Sequence, residues 1–201
     1  MDNEPGLLER EACSFLSQEK FEEAFRLFKD AARVYEKQGN HEQSTLCLAS
    51  AASCWSKKSG EKTFYDAAVS YEEAAGEAEK SGDFEYTSLL YKYAAINYER
   101  DGEFLNFSDC FYRSKEYYRK FLTYSLICPG KIHSITRATE EKGIKGVIKR
   151  VFLWFVLTFS FMIWGDGERP SRALFAGVLV IFLSAFFPTC IFPKYLLLSD
   201  V

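Results

Sequence analysis

The sequence predicts an all-α protein, an antiparallel helical-repeat solenoid followed by one or two C-terminal membrane helices. Three observations predict this fold class. Glycines recur at positions 39, 60, 82 and 102, each within a polar turn. No proline occurs between Glu9 and Ile127, so nothing interrupts helices there. Two apolar runs, 151–165 and 173–193, contain no charged residue.

The glycines divide the first 128 residues into helices. Two residues before each glycine stands a Lys or Arg, as in Lys37 before Gly39. A cation in the last helical turn followed by glycine is a helix stop, because the cation complements the helix dipole and glycine accepts the left-handed conformation. Each interval therefore predicts one helix of about 16–18 residues, antiparallel to the next. An earlier helix is predicted from Glu4 to about Ser17, and a last one from Glu103 to Leu126.

Small and large side chains alternate along these helices. Seven and eight residues before the glycines stand the pairs Ala31–Ala32, Ala52–Ser53, Ala74–Ala75 and Ala94–Ala95. Small pairs at one height let neighbouring helices approach closely, and large residues fill the space on either side. The predicted core includes Tyr65, Val69 and Tyr93. Tyr91 and Tyr112 fall off the main apolar stripe, which makes them the predicted exposed residues of a concave partner-binding surface.

Three segments carry a family resemblance. They are residues 21–25 (Phe-Glu-Glu-Ala-Phe), 31–35 (Ala-Ala-Arg-Val-Tyr) and 71–75 (Tyr-Glu-Glu-Ala-Ala). Residues 7–124 resemble the tetratricopeptide-like (TPR-like) solenoid of the soluble NSF attachment proteins (SNAP), with a repeat longer than the usual ~34 residues. In that family the solenoid binds helical bundles of membrane-fusion proteins and recruits an ATPase. The C-terminal end that contacts the ATPase has no counterpart here.

Charge is distributed unevenly along the chain. Residues 1–130 hold 16 basic and 23 acidic residues, whereas 131–201 hold 9 and 5. The acidic N-terminal part argues against a nucleic-acid partner, whose phosphates it would repel. A basic linker at 129–147 next to an apolar run is typical of the cytoplasmic side of a membrane. We therefore expect a membrane protein whose solenoid, residues 1–128, faces the cytoplasm, with membrane lipid as one partner.

The membrane segment, residues 148–201, allows two topologies. Positive residues precede both apolar runs and stay on the cytoplasmic side. If both basic clusters obey that rule, the first run lies in the interface and only the second spans, which is the preferred prediction. In the alternative, both runs cross as a hairpin. The predicted interface anchors are Lys149, Arg150, Trp154, Trp164, Arg169 and Arg172.

A second resemblance begins at Lys149 and Arg150. Residues 165–172 read Gly-Asp-Gly-Glu-Arg-Pro-Ser-Arg and are followed by the long apolar run. Residues 148–187 resemble the segment that leads into the first transmembrane helix of two-transmembrane prokaryotic potassium channels. That resemblance implies a channel subunit that forms homo-oligomers through its membrane segment, with the solenoid as a regulatory domain. The chain has no Thr-x-Gly-Tyr-Gly selectivity filter, so it would be a truncated or degenerate relative.

The sequence shows no catalytic motif. It contains no phosphate-binding glycine loop, no H-E-x-x-H and no G-x-S-x-G, and none of its six cysteines form a C-x-x-C pair. We therefore expect no enzyme activity, catalytic residue, metal or cofactor. The predicted function is a membrane-anchored scaffold or adaptor that binds a protein, and the alternative is the channel remnant.

Overall fold

The computed structural model describes residues 4–58, 63–127 and 144–164, together with 177, 178 and 181. All secondary structure in this part of the chain is helical, which confirms the all-α prediction. The helices are α1 (Glu4–Ser17), α2 (Phe21–Lys37), α3 (His41–Lys57), α4 (Thr63–Ser81), α5 (Phe84–Asp101), α6 (Phe104–Ile127) and α7 (Ile144–Trp164).

The predicted glycine stops are confirmed at three of the four positions, and Gly60 lies outside the described residues. Gly39, Gly82 and Gly102 have φ angles of 72°, 77° and 84°, in the left-handed region that glycine adopts without steric cost. The next helix then begins with a capping side chain at two of these turns. Asn40 accepts a hydrogen bond from the backbone N–H of Gln43, and Asp83 accepts one from Tyr86.

Helices α1 to α6 pack in sequence, each against the next. Alternate helices also touch at regular intervals. Lys29 of α2 pairs with Glu73 of α4 at 2.8 Å, and Glu36 pairs with Lys80 at 3.0 Å, so both partners lie 44 residues apart. A constant separation means that α2 and α4 run in the same direction. Ser56 of α3 likewise donates to Asn97 of α5 at 3.3 Å. The arrangement is consistent with a helical solenoid, with α3 and α5 in one layer and α2 and α4 in the other.

Alanine pairs form the centre of the core. Ala31–Ala32, Ala74–Ala75 and Ala94–Ala95 are fully buried as predicted, and they allow close helix approach. In α3 the prediction was wrong by one residue, because Ala51–Ala52 is buried whereas Ser53 is half-buried. Three residues before each pair stands a large buried side chain, in turn Phe28, Leu48, Tyr71 and Tyr91.

Three residues predicted in the core lie at the surface. Tyr65 and Val69 of α4 and Tyr93 of α5 are each about two-fifths exposed. A helix buries one face, and in these helices that face is centred on the alanine pair. Tyr65, Val69 and Tyr93 fall outside it, so only the edges of their side chains pack. Tyr93 still contacts the Tyr71 ring, with centroids 5.5 Å apart.

One carboxylate is buried between α3 and α4. Glu77 Oε1 lies 2.6 Å from His41 Nδ1, and Glu77 Oε2 accepts from Lys80 Nζ at 2.7 Å. Burial by itself would raise the pKa of Glu77, but the hydrogen bonds and charges of Lys80 and His41 outweigh it and hold that pKa below its ordinary value. The Glu77 carboxylate, which bonds to both His41 and Lys80, therefore stays ionised inside the domain.

The chain forms two compact units, residues 1–154 and 155–201. Helix α7 begins in the first unit, at Ile144, and continues into the second. The linker predicted at 129–147 lies outside the described residues up to position 143, and its last four residues begin α7. In the part of the chain that the structure describes, no helix combines the length and the apolar character needed to cross a bilayer.

Candidate interaction surfaces

The outer face of α2 and α4 carries charged side chains of both signs, and they pair with one another. Besides the Lys29–Glu73 and Lys80–Glu36 pairs, Glu22 of α2 pairs with Lys58 at the end of α3. Exposed ion pairs of this kind contribute about 0–1 kcal/mol each and keep a face solvated. A partner would have to break several of them, so this face is poorly suited to binding an apolar ligand.

The outer face of α3 and α5 is different. Between Glu42 and Lys57, helix α3 holds no charged residue, and between Glu85 and Glu99 helix α5 holds only Lys92. Because α4 covers both helices from the inner side, their solvent-facing residues lie on one surface. We call this surface the α3–α5 strip. It comprises Leu46, Ala49, Ser50 and Ser53 of α3 with Leu89, Tyr93 and Ile96 of α5.

The side chains of the α3–α5 strip suit close contact with another chain. Ala49, Ser50 and Ser53 are small and half-buried, so a partner backbone can come close to α3. Ser50 donates its hydroxyl hydrogen to the Leu46 carbonyl within its own helix, which leaves no unsatisfied donor to bury. Tyr93 of α5, on the same strip, has 42% of its surface exposed. Exposed tyrosine among uncharged residues is typical of the centre of protein interfaces.

The structure does not expose Tyr91. Its surface is only 5% accessible, and its ring stacks on that of Tyr117 with centroids 5.6 Å apart. The Arg113 guanidinium also lies 5.6 Å from the Tyr91 ring centroid, and its Nη1 donates to the Tyr91 hydroxyl at 3.4 Å. The prediction that Tyr91 is exposed was therefore wrong, because Tyr91 lies on the α5 face that α6 covers. Tyr112 of α6 is half-buried.

A hydrogen bond joins the first half of α7 to α6. Trp154 Nε1 donates to Thr123 Oγ1 at 2.9 Å. Burial, followed by the charge of Glu85, raises the pKa of Tyr118, and the nearby Lys149 ammonium partly offsets the rise. Trp154 is thus half-buried and engaged with the domain, although the sequence predicts it as a membrane-interface anchor.

The other face of α7 exposes large apolar side chains. Ile148, Phe152, Phe155 and Phe159 are between 56% and 66% exposed, and their spacing places them on one side of the helix. We call this set the α7 stripe. Phe155 and Phe159 stack on each other with centroids 6.1 Å apart. Such a row of exposed rings is unusual on a soluble surface and is typical of a membrane or protein contact.

The remaining predicted anchors divide between described and undescribed residues. Lys149 is exposed and Arg150 is half-buried, one turn before Trp154. Trp164 ends α7, and its side chain lies outside the described residues, as do Arg169 and Arg172. Of the run 173–193, only positions 177, 178 and 181 are described, all helical.

Of the described cysteines, Cys13 is exposed, whereas Cys47, Cys54 and Cys110 are buried and behave as apolar residues. Burial raises the pKa of the Cys47 thiol to about 12 and that of Cys54 to about 11, and it also raises the pKa of Cys110. Within the described ranges, no three His, Cys, Asp or Glu side chains gather closely enough to hold a metal ion.

No protein-family model matches this chain. No curated protein and no solved structure matches it either.

Proposed function

We propose that this protein is a membrane-anchored adaptor whose helical-repeat domain binds a protein partner at the cytoplasmic face. The observation that carries the proposal is the contrast between the two outer faces of the domain. One face is held together by ion pairs, whereas the α3–α5 strip is almost free of charge and exposes Tyr93 on α5 and small side chains on α3.

The strip favours a helical or extended segment with an apolar face as its partner. Small side chains on α3 leave room for a backbone, and Tyr93 supplies a rigid aromatic anchor of the kind that dominates binding energy. The longest dimension of the strip follows the helices, from Leu46 to Ser53 on α3. Eight residues of helix cover about 12 Å, which matches two turns of a partner helix.

Membrane attachment is supported by features of both units. The α7 stripe exposes four large apolar side chains, which fits a helix lying in the headgroup region. The 21 uncharged residues of the run 173–193 supply the length of one transmembrane helix, about 20 residues. Lys149 and Arg150 then mark the cytoplasmic side.

The partner surface can be tested by placing one arginine on the strip. Ser50→Arg puts a charge at its centre, and Ser81→Arg puts the same charge on the exposed end of α4. The two serines are matched, because each donates to a carbonyl of its own helix. Proteins that copurify with the full chain from detergent-solubilised membranes should fall at least about tenfold with Ser50→Arg and persist with Ser81→Arg. Equal recovery by both variants, each with an unchanged circular dichroism spectrum, would contradict the assignment of the strip.

A second candidate function is that of a channel-related subunit. It is favoured by the stretch 165–172 and by the run that follows it, which lie almost wholly outside the described residues. This function requires homo-oligomers held together by the membrane segment. Chemical cross-linking in native membranes should then give a ladder up to the tetramer that disappears when residues 144–201 are replaced by an unrelated single-span anchor. A chain that stays monomeric in membranes would rule the channel function out.

A further inference from the structure

Helix α3 carries one charged residue at each end of its outer face. Glu42 lies in the first turn and Lys57 in the last, and both side chains are exposed. Neither of them forms an ion pair within the residues that the structure describes. The two charges are 15 residues apart, which corresponds to about 22 Å along a helix. The uncharged part of the α3–α5 strip lies between them.

The outer face of α3 has a symmetrical spacing. Six of its positions are separated by steps of 4, 3, 1, 3 and 4 residues, so the series is the same when it is read from either end. At about 100° per residue, the six fall within an arc of about 100° around the helix. They are Glu42, Leu46, Ala49, Ser50, Ser53 and Lys57. A two-fold axis through the midpoint would place each position opposite its equivalent in a second copy.

Two antiparallel copies of α3 complement each other in charge and in size. Glu42 comes opposite Lys57 of the second copy, and the same pair forms again at the other end. Leu46, the one large apolar side chain of the six, comes opposite the small Ser53. The two residues at the midpoint are small and half-buried, so the helix axes can approach to about 8 Å. Parallel copies would instead bring like charges together.

We propose that the α3–α5 strip pairs two copies of this chain, with their α3 helices antiparallel about a two-fold axis at Ala49 and Ser50. The inference rests on the proposed function and names a second copy as the partner of the strip. Ser50 and Ser53 donate to carbonyls of their own helix, so pairing buries no unsatisfied hydroxyl donor. One helix face is small beside the roughly 800 Å² per partner of a stable complex, so the pair is reversible. Anchoring both copies in one membrane favours it by raising their effective concentration.

Disulfide cross-linking of the full chain in native membranes tests the pairing. Cys13, Cys128 and Cys190 are first replaced by serine, which leaves the three buried thiols. In this background Ser50→Cys places the two new thiols about 1.5 Å apart along the helix axis, whereas Ser53→Cys separates them by about 10 Å. A disulfide needs Cα atoms within about 7 Å of each other. Copper phenanthroline should therefore join Ser50→Cys chains at least about tenfold faster than Ser53→Cys chains.

Charge reversal tests the same arrangement independently. Glu42→Lys places a like charge opposite Lys57 at both ends of the pair and should slow the Ser50→Cys cross-link about fivefold at low salt. Adding Lys57→Glu makes the facing charges opposite again and should restore the rate, although both changes oppose the helix dipole of α3. Glu23→Lys makes the same change in the first turn of α2, and as the matched control it should leave the rate unchanged.

Three results would overturn the pairing. A Ser50→Cys rate no higher than that of Ser81→Cys, at the exposed end of α4, would mean that only random collisions join the chains. Equally high rates for Ser50→Cys and Ser53→Cys would mean that the α3 helices lie parallel. A rate that the second charge reversal does not restore would contradict the facing charges.

The copurification test separates this inference from the proposed function. If Ser50→Arg releases the copurifying proteins while Ser50→Cys chains do not cross-link, the strip binds a different protein and only the pairing is overturned. If Ser50→Arg releases nothing and Ser50→Cys chains do not cross-link, both the pairing and the strip as an interaction surface are overturned.

Discussion

Replacing Ala75 by leucine should destabilise the helical-repeat domain strongly. Ala75 is fully buried on α4, the helix that packs against both α3 and α5. Leucine adds three carbon atoms where the two neighbouring helices already approach closely, so those helices must move apart or the side chain must leave its preferred rotamer. Overpacking of this kind costs about 1–3 kcal/mol. We expect a value near the upper end, about 2–3 kcal/mol, because α4 is confined on both sides.

Urea unfolding of the full chain in mild detergent, followed by circular dichroism, measures this cost. For a domain of this size the free energy of unfolding falls by about 2 kcal/mol per molar urea, so the midpoint should drop by about 1 M or more. Ala49→Leu is the comparison variant, since it makes the same change at a half-buried position on the edge of the core and should lower the midpoint clearly less than Ala75→Leu does. Equal midpoints for the two variants would refute the idea that alanine pairs set the helix spacing.

Three further predictions concern the turns, the buried carboxylate and the thiols. Gly102→Ala places a side chain on a residue in the left-handed conformation and should lower the free energy of unfolding by about 1 kcal/mol. Gly76 lies in a helix interior with open space around it, so Gly76→Ala should raise the free energy of unfolding by about 0.5–1 kcal/mol in the same urea assay. Glu77 has a lowered pKa in the folded state, so its contribution is present above the unfolded pKa of about 4.3 and is lost as the pH falls through the folded value. The melting temperature of Glu77→Gln should therefore lie below that of the unmodified protein at pH 7, with a gap that narrows below about pH 4; a constant gap would contradict this. Iodoacetamide at pH 8 should modify the exposed Cys13 and leave the buried Cys47 unmodified until the protein is denatured, as read by mass spectrometry.

The helix boundaries could be predicted because each one depends on local chemistry. A cation two residues before Gly39, Gly82 or Gly102 marks the end of a helix through dipole and backbone effects that act within one turn. The structure places the left-handed residue at each of these three glycines. No information about distant parts of the chain is needed for that step, so the sequence alone was sufficient.

The exposure of individual tyrosines could not be predicted from the glycine register. Counting back from Gly60 placed the small pair of α3 one residue late, and the broad apolar stripe assumed for α5 put Tyr93 inside and Tyr91 outside. The alanine pairs give the better reference. Tyr91, Ala94, Ala95 and Tyr98 follow the spacing i, i+3, i+4, i+7 and are all buried, which defines the covered face directly.

The candidate surfaces depend on neighbours that the sequence does not identify. The low charge of α3 is visible in the sequence, but only the packing of α4 behind it shows that Leu46 and Ser53 face outward together with Tyr93. The contact between α6 and α7 is harder still to predict. It brings Thr123 together with Trp154 across a 31-residue separation that no local pattern encodes.

The bond between Trp154 and Thr123 also bears on how the domain can meet a membrane. Successive residues of an α-helix are rotated by about 100°, so Phe152 lies about 200° from Trp154 around the helix axis. Holding the indole against α6 therefore turns Phe152 away from the domain, in agreement with its exposure. Helix α7 cannot rotate freely about its axis while this bond is kept. If α7 lies in a membrane as proposed, Phe152 therefore faces the lipid while Trp154 stays on the side of the domain.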